Sequence, residues 1–209
     1  MKQILLHKKG ILFGVLLLIA GMQQLLGQHT NELTAVLDPS CNQISIMQKF
    51  TYVNSSKDAL TELYFNDWAN AYSNKNTALA KRFAEEFKRS LHLAKPKERG
   101  STSIVSIVDD EYRGITWERT KGKDIIKFTL NQALEPNTSI TLNITYKVIL
   151  PPNKYTSYGY DNKGGYYLKD WYLTPAVYNN GWTLYSNKNL DDLYTDITST
   201  TIDFTFPEE

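Results

Sequence analysis

Alternating apolar and polar residues dominate the chain after residue 28. Two runs show this pattern most clearly, with apolar side chains at nearly every second position: residues 44–52 and residues 140–148. Strict alternation is typical of a β-strand that buries one face and exposes the other. We therefore predict two long, half-buried strands.

Shorter alternating runs predict further strands. They cover residues 33–37, 59–65, 103–108, 114–118, 125–130, 165–172 and 200–206. Lys121-Gly122 and Glu135-Pro136-Asn137 have the composition of turns between neighbouring strands. The sequence predicts a mostly β protein, an antiparallel β-sandwich or saddle-like domain.

One segment departs from this pattern. Over residues 77–91, apolar side chains recur every four positions from Leu79 to Phe87, with charged residues on the other face. This period predicts an amphipathic helix inserted among the strands. Asn76 is expected to cap its start, and Pro96 lies beyond its predicted end.

The first 28 residues have the order of a secretory signal peptide. Basic residues precede an apolar run from Ile11 to Ala20, and the small residue Gly27 follows. The run is shorter than a membrane span, although a retained anchor is the alternative. We predict export to the periplasm or medium, no membrane association after cleavage, and one β domain over residues 29–209.

Charge and cysteine content narrow the class of protein. Three of the 23 Lys and Arg residues lie in the first 28 positions, which leaves 20 basic against 22 acidic residues. A slightly acidic domain is a poor partner for nucleic acid. The single cysteine, Cys41, excludes an internal disulfide and is expected to be a small core residue.

Residues that could support catalysis are scarce. A zinc hydrolase needs about three protein ligands, and a nucleophilic triad needs a base beside its nucleophile. After residue 28 the chain offers only His29 and His92, with no H-E-x-x-H motif. The acidic runs at residues 109–111 and 191–192 lack the ligand spacing of a calcium loop and are predicted to be solvated turns. We predict no catalytic residue, metal site or cofactor in this chain.

Two aromatic blocks stand out instead. The first surrounds Trp68 within residues 66–72, and the second runs from Trp171 to Trp182. Dense aromatic residues can line a ligand groove, but they also bury large areas in a core or between domains. We favour packing, in the core or between domains.

At these blocks the sequence resembles the N-terminal domain of secreted bacterial relatives of aminopeptidase N, the gluzincin class of zinc metallopeptidases. The family-signature residues of the first block are Asp67, Trp68, Asn70 and Tyr72. The more specific second block supplies the candidates for a substrate-cleft or interdomain surface: Trp171, Tyr172, Pro175, Tyr178 and Trp182. The resemblance covers most of the chain after residue 28.

The resemblance implies a scaffold role. In that family a saddle of β-strands precedes a thermolysin-like domain, whose H-E-x-x-H helix holds the zinc. None of those catalytic elements has a counterpart here, so zinc and peptide hydrolysis are expected in a catalytic domain of the same polypeptide. The β domain is expected to pack on that partner and to form part of the wall of the peptide-substrate cleft.

The end of the chain and the aromatic residues lead to two further expectations. The strand predicted over residues 200–206 runs directly into the end of the chain, so we expect a domain truncated at its C-terminal edge. The alternative function is a stand-alone exported β-sandwich that stacks a glycan or peptide on Trp171, Tyr172 and Trp182.

Overall fold

The computed structural model describes residues 28–120, 124–191 and 193–207. The long strands are β1 (His29–Asp38), β2 (Gln43–Val53), β3 (Leu60–Asn66), β4 (Ser101–Asp109), β5 (Thr116–Arg119), β6 (Ile125–Leu134) and β7 (Ser139–Ile149). The later strands are β8 (Gly159–Tyr160), β9 (Tyr166–Tyr167), β10 (Thr174–Pro175), β11 (Val177–Tyr178), β12 (Trp182–Thr183) and β13 (Thr198–Thr205). Helix α1 spans Ala78–Glu85, and short 3-10 helices span Trp68–Tyr72 and Pro96–Glu98.

Two main sheets form the domain. The first has five strands in the order β13-β1-β2-β7-β4, and the second has four in the order β10-β3-β6-β5. All pairs within them are antiparallel except β1 with β13, which is parallel. The predicted fold class, a mostly β antiparallel protein of sandwich type, is confirmed.

The core lies between the inner faces of these sheets. Phe50 of β2 meets the edge of Phe65 of β3 at a centroid distance of 5.0 Å, and Phe65 stacks on Phe128 of β6 at 4.8 Å. All three side chains are fully buried. The alternation of the sequence places these residues inward because successive strand side chains point to opposite faces.

Most strand predictions agree with the structure, including residues 44–52 within β2 and 140–148 within β7. The strand predicted over residues 165–172 is wrong, because only Tyr166–Tyr167 pairs with a neighbour. Asp170 has a positive φ of 50°, which breaks the extended geometry of a strand. The predicted turn at Lys121-Gly122 lies outside the described residues.

The helix is shorter than predicted and starts elsewhere. Thr77, not Asn76, caps α1, because its hydroxyl accepts a 3.3 Å hydrogen bond from the Ala80 amide. The helix ends at Glu85 and not at residue 91, because Phe87 adopts a left-handed φ of 61°. The amide of Lys88 then donates to the Phe83 carbonyl at 2.7 Å, which closes the last turn.

The four-residue period predicts that Phe87 lies on the buried face of the helix, and this prediction is wrong. Its side chain is 86% exposed, whereas Leu79 and Phe83 are buried as expected. The prediction that Cys41 is a core residue is also wrong, since Cys41 lies exposed in the turn between β1 and β2. The predicted signal peptide lies outside the described residues except for Gln28. Within the described part, no helix is long and apolar enough to cross a membrane.

Candidate functional site

The first aromatic block is tied into the domain by the buried carboxylate of Asp67, which precedes the 3-10 helix. Asp67 pairs with the Arg119 guanidinium of β5 and accepts a 2.6 Å hydrogen bond from the Thr102 hydroxyl of β4. Asn70 makes a second connection, because its Oδ1 accepts a hydrogen bond from the Thr102 amide at 3.2 Å. These family-signature positions therefore join the helix to strands of both sheets.

The aromatic side chains of this block point towards the later part of the chain. The Trp68 indole donates a 3.1 Å hydrogen bond to the Tyr185 carbonyl, and the Tyr72 hydroxyl lies 2.9 Å from the Thr156 hydroxyl. The rings of Tyr72 and Tyr158 lie 5.2 Å apart. The first block is thus the surface on which part of segment 155–193 lies.

In the second block, Trp171 and Pro175 are interior residues. The Trp171 side chain is 7% exposed and meets the rings of Tyr172 and Phe204 at 5.2 and 5.4 Å. Pro175 is buried and pairs with Phe65 where β10 meets β3. Pairing of β10 with β3 brings the two blocks together.

Between Trp171 and Pro175, Leu173 connects the second block to buried polar groups of the sandwich. Its amide donates to the Tyr146 hydroxyl at 3.1 Å, and its carbonyl accepts from the Gln48 amide group at 2.8 Å. The Tyr146 hydroxyl in turn donates to Gln48 Oε1 at 2.7 Å. The backbone at residue 173 is therefore fixed by two side chains of the five-stranded sheet.

Tyr178 and Trp182 belong to a different cluster on the hairpin β11–β12. The Trp182 ring lies 5.1 Å from Tyr178, 5.3 Å from Tyr64 and 6.1 Å from Tyr52. The Tyr178 hydroxyl donates to Asp58 at 2.7 Å. Among the described residues, no ring contact joins this cluster to Trp171 and Tyr172, so the five candidate residues do not form one platform.

A cleft of about 240 Å³ opens between the first block and the later segment. Its walls include Trp68, Tyr72, Tyr158, Asp170, Asn187 and Leu190. The sequence does not indicate that Tyr158, Asp170 and Asn187 belong to one site. They are spread over thirty positions of irregular chain, where no periodicity relates them.

The carboxylate of Asp124 holds one wall of this cleft. Asp124 is fully buried and accepts hydrogen bonds from the Ser186 hydroxyl at 2.8 Å and from the Asn187 amide at 2.6 Å. Burial raises the pKa of Asp124 to about 6, the two hydrogen bonds lower it, and the negative charge of Asp67 raises it slightly. Asp124 was also missed, because a lone aspartate before a strand gives no sequence signal.

The two acidic runs behave differently from one another. The prediction of a solvated turn is wrong for Asp109, which is buried, accepts hydrogen bonds from the Glu111 and Arg113 amides and pairs with the Arg113 guanidinium. Asp191 is solvent-exposed as expected. Asp192 lies outside the described residues. Over residues 28–120, 124–191 and 193–207, no group of three or more metal-ligating side chains is found.

An uncovered apolar surface lies on β13. Ile202 and Phe204 pair in register with Leu33 and Ala35 of β1, whose side chains are buried in the core. Ile202 is nevertheless 44% exposed, and Phe206, which packs on Phe204, is 62% exposed. We call Ile202, Phe204 and Phe206 the β13 patch.

Comparison with known proteins gives weak structural similarity. No family model matches the chain, and no curated protein matches it. It is similar to the M1 zinc metallopeptidase of Deinococcus radiodurans, with 12% identity, a TM-score of 0.35, and coverage of 59% of this chain and 20% of that one. A two-domain M1 zinc metallopeptidase bound to L-tryptophan gives 11% identity, a TM-score of 0.36 and coverage of 59% and 21%.

An aminopeptidase N family protein from Idiomarina loihiensis gives 8% identity and a TM-score of 0.27, with coverage of 58% of this chain and 15% of that one. The chain thus spans about a fifth of the length of the first of these proteins.

Proposed function

We propose that this chain is a non-catalytic β domain of an exported zinc metallopeptidase, a scaffold for a thermolysin-like catalytic domain of the same polypeptide. That catalytic domain would hold the zinc and hydrolyse peptides. The proposal rests on the family-signature residues together with one structural observation, the β13 patch.

The β13 patch has the character of an interface. The neighbouring β1 residues Leu33 and Ala35 are buried in the core, whereas Ile202 is 44% exposed and Phe206 is 62% exposed. An apolar face that continues a core without cover typically marks a contact with another domain or protein. A catalytic domain on this patch would complete the burial.

The second aromatic block lies beside the patch, because Trp171 contacts Phe204. A domain seated on the patch would therefore lie close to Trp171, where the second block begins. In this arrangement the half-buried rings of Tyr172, Tyr178 and Trp182 are candidates for the cleft wall that faces a peptide substrate, whereas Trp171 and Pro175 support that wall from below.

The proposal is tested first in the coding sequence that follows Glu209 in the source genome. We expect an H-E-x-x-H motif with a later Glu within about 150–200 residues, roughly one domain. The two parts produced together should co-elute, and Ile202→Asp should weaken their association at least about tenfold, since it places a charge in an apolar contact. Val105→Asp, on an exposed position of β4, is the matched control and should leave association unchanged.

Absence of the motif, or association indifferent to Ile202→Asp, would contradict the proposal. The full chain by itself should hydrolyse no peptide with or without added zinc. Zinc-dependent turnover that disappears with a chelator would make the chain an enzyme and would overturn the scaffold assignment.

The second candidate is a stand-alone binding module, and the half-exposed Trp182 cluster is the observation that favours it. Tyr52, Tyr64 and Tyr178 surround Trp182, and such clusters can stack a glycan or peptide. Trp171 offers little surface for stacking because it is buried. Ligand titrations in which Trp182→Ala abolishes binding and Ile202→Asp does not would favour this candidate.

A further inference from the structure

The cleft beside Trp68 contains hydrogen-bonding groups that the protein itself leaves unused. The Tyr158 hydroxyl and Asn187 Oδ1 are buried, belong to residues that line the cleft, and have no hydrogen-bond partner among the described residues. A buried polar atom without a partner costs free energy, on the order of 1–3 kcal/mol. Two such atoms belong to residues that line one cavity, so a ligand bound there would complete them after a small shift of these side chains.

A carboxylate without a hydrogen-bond partner faces the same cleft. Asp170 is half-buried and accepts no hydrogen bond from any described residue, and its backbone has a positive φ of 50°. Burial raises the pKa of Asp170, and the neighbouring charge of Lys169 opposes this. Aspartate tolerates this left-handed backbone, which fixes the direction of the chain at the cleft.

The other charges at the rim neutralise one another. The Lys169 ammonium lies 3.6 Å from the Asp191 carboxylate and donates to the Leu190 carbonyl at 3.3 Å. The cleft therefore carries one uncompensated negative charge, that of Asp170. The free groups, a carboxylate, an amide oxygen and a phenol oxygen, can all accept hydrogen bonds, so they fit a ligand that donates them.

Most of the remaining lining residues are aromatic or apolar, and Thr156 and Ser157 are the polar exceptions. Rings of Trp68, Tyr72 and Tyr158 and the side chain of Leu190 line the space. Aromatic faces attract cations, and a cavity of about 150 Å³ already holds a benzene ring. The 240 Å³ available here has room for a ring-sized body that carries a charged head.

We propose that this cleft is a binding site for a small organic cation, an ammonium group on an apolar body. Asp170 is its counter-ion, Asn187 and Tyr158 accept its hydrogen bonds, and the aromatic walls hold the body. The site lies within this chain and is independent of the proposed scaffold role.

Calorimetric titration of the full chain with phenethylamine and with neutral 2-phenylethanol tests this proposal. The two probes share a body and differ in charge. We expect the amine to bind about 10- to 100-fold more tightly than the alcohol. This is the ratio of affinities that one charge-assisted hydrogen bond supplies. Asp170→Asn should remove most of this preference and leave the protein folded, since asparagine tolerates a left-handed backbone.

Two further variants sharpen the test. Asn187→Ala keeps the backbone amide bonded to Asp124, so it should weaken amine binding about 3- to 10-fold without lowering the melting temperature. Asp203→Asn, an exposed carboxylate on β13, is the matched control and should have no effect. Equal affinity for the two probes, amine binding indifferent to Asp170→Asn, or no binding up to about 10 mM amine would each overturn the proposal.

Discussion

The sandwich and the segment of residues 155–193 hold their aromatic residues by different means. In the sandwich, Phe50, Phe65 and Phe128 are buried by the alternation of long strands and contact one another in the core. In the later segment the strands have two residues each. There, position is set by a few polar contacts, made by side chains of the sandwich with the backbone of the segment.

Three sets of hydrogen bonds make these contacts. Tyr146 and Gln48 bind the backbone at Leu173, Trp68 binds the Tyr185 carbonyl, and Asp124 binds Ser186 and Asn187. Burial gives the sandwich its stability, whereas individual hydrogen bonds position the surface that the segment presents. Changes to polar residues should therefore separate the two regions experimentally.

The largest effect is expected at the junction of the two regions. Asp67→Ala leaves the Arg119 guanidinium partly buried without its carboxylate, which typically costs about 3–5 kcal/mol of unfolding free energy. Urea unfolding measures this cost. Glu32→Gln, which affects the exposed ion pair with Lys49, is the control and should change stability by less than about 1 kcal/mol. A small cost for Asp67→Ala would mean that the first block does not join the sheets.

A pH dependence of similar size is expected from Asp124. Its folded-state pKa of about 6 lies above the ordinary value of 3.8, so the folded protein binds this proton more tightly than the unfolded chain. The contribution to stability is full below about pH 4 and is lost as pH rises to about 6, with a total of at most about 3 kcal/mol.

Asp124→Asn removes this proton equilibrium. The unfolding free energy of the variant relative to the natural chain should rise between about pH 4 and pH 6 and stay constant above that. Urea unfolding at a series of pH values measures the difference, in which the contributions of other carboxylates cancel. A difference that does not vary with pH would contradict the burial of an ionisable Asp124.

Tyr146→Phe should loosen the later segment and leave the sandwich intact. It deprives the Leu173 amide and Gln48 Oε1 of their partner, at a cost of about 1–3 kcal/mol. Hydrogen exchange should become faster around residues 171–178 while β2 and β7 keep their protection. Uniformly faster exchange would show that the two regions unfold as one unit.

The smallest expected effect has the opposite sign. Tyr158→Phe removes a buried hydroxyl that has no partner, so the ligand-free protein should gain up to about 1 kcal/mol in unfolding free energy. Tyr72→Phe, whose hydroxyl is bonded to Thr156, is the control and should lose stability. A loss for Tyr158→Phe would mean that its hydroxyl is satisfied within the protein.

The same contrast explains what could be predicted from the sequence. The alternation within β2 and β7 is a direct consequence of one buried face, so the sandwich strands could be located before the structure. The cleft could not, because Asp124 meets its partners Ser186 and Asn187, and Asp170 approaches Trp68, only in the folded chain. Asp67 was identified from the resemblance, but its partners Arg119 and Thr102 were not. The helix end also escaped prediction, because Phe87 adopts a left-handed backbone without being a glycine.

The proposed scaffold role requires that the β13 patch be an interface left open in this chain. The most direct test compares the solution mass and hydrophobic-dye binding of the full chain with those of an Ile202→Thr/Phe206→Ser variant. Residues 1–28 are identical in both, so they contribute equally. We predict that the natural chain associates as its concentration rises and binds dye, and that the variant does so less. Equal mass and equal dye binding in the two proteins would contradict the claim.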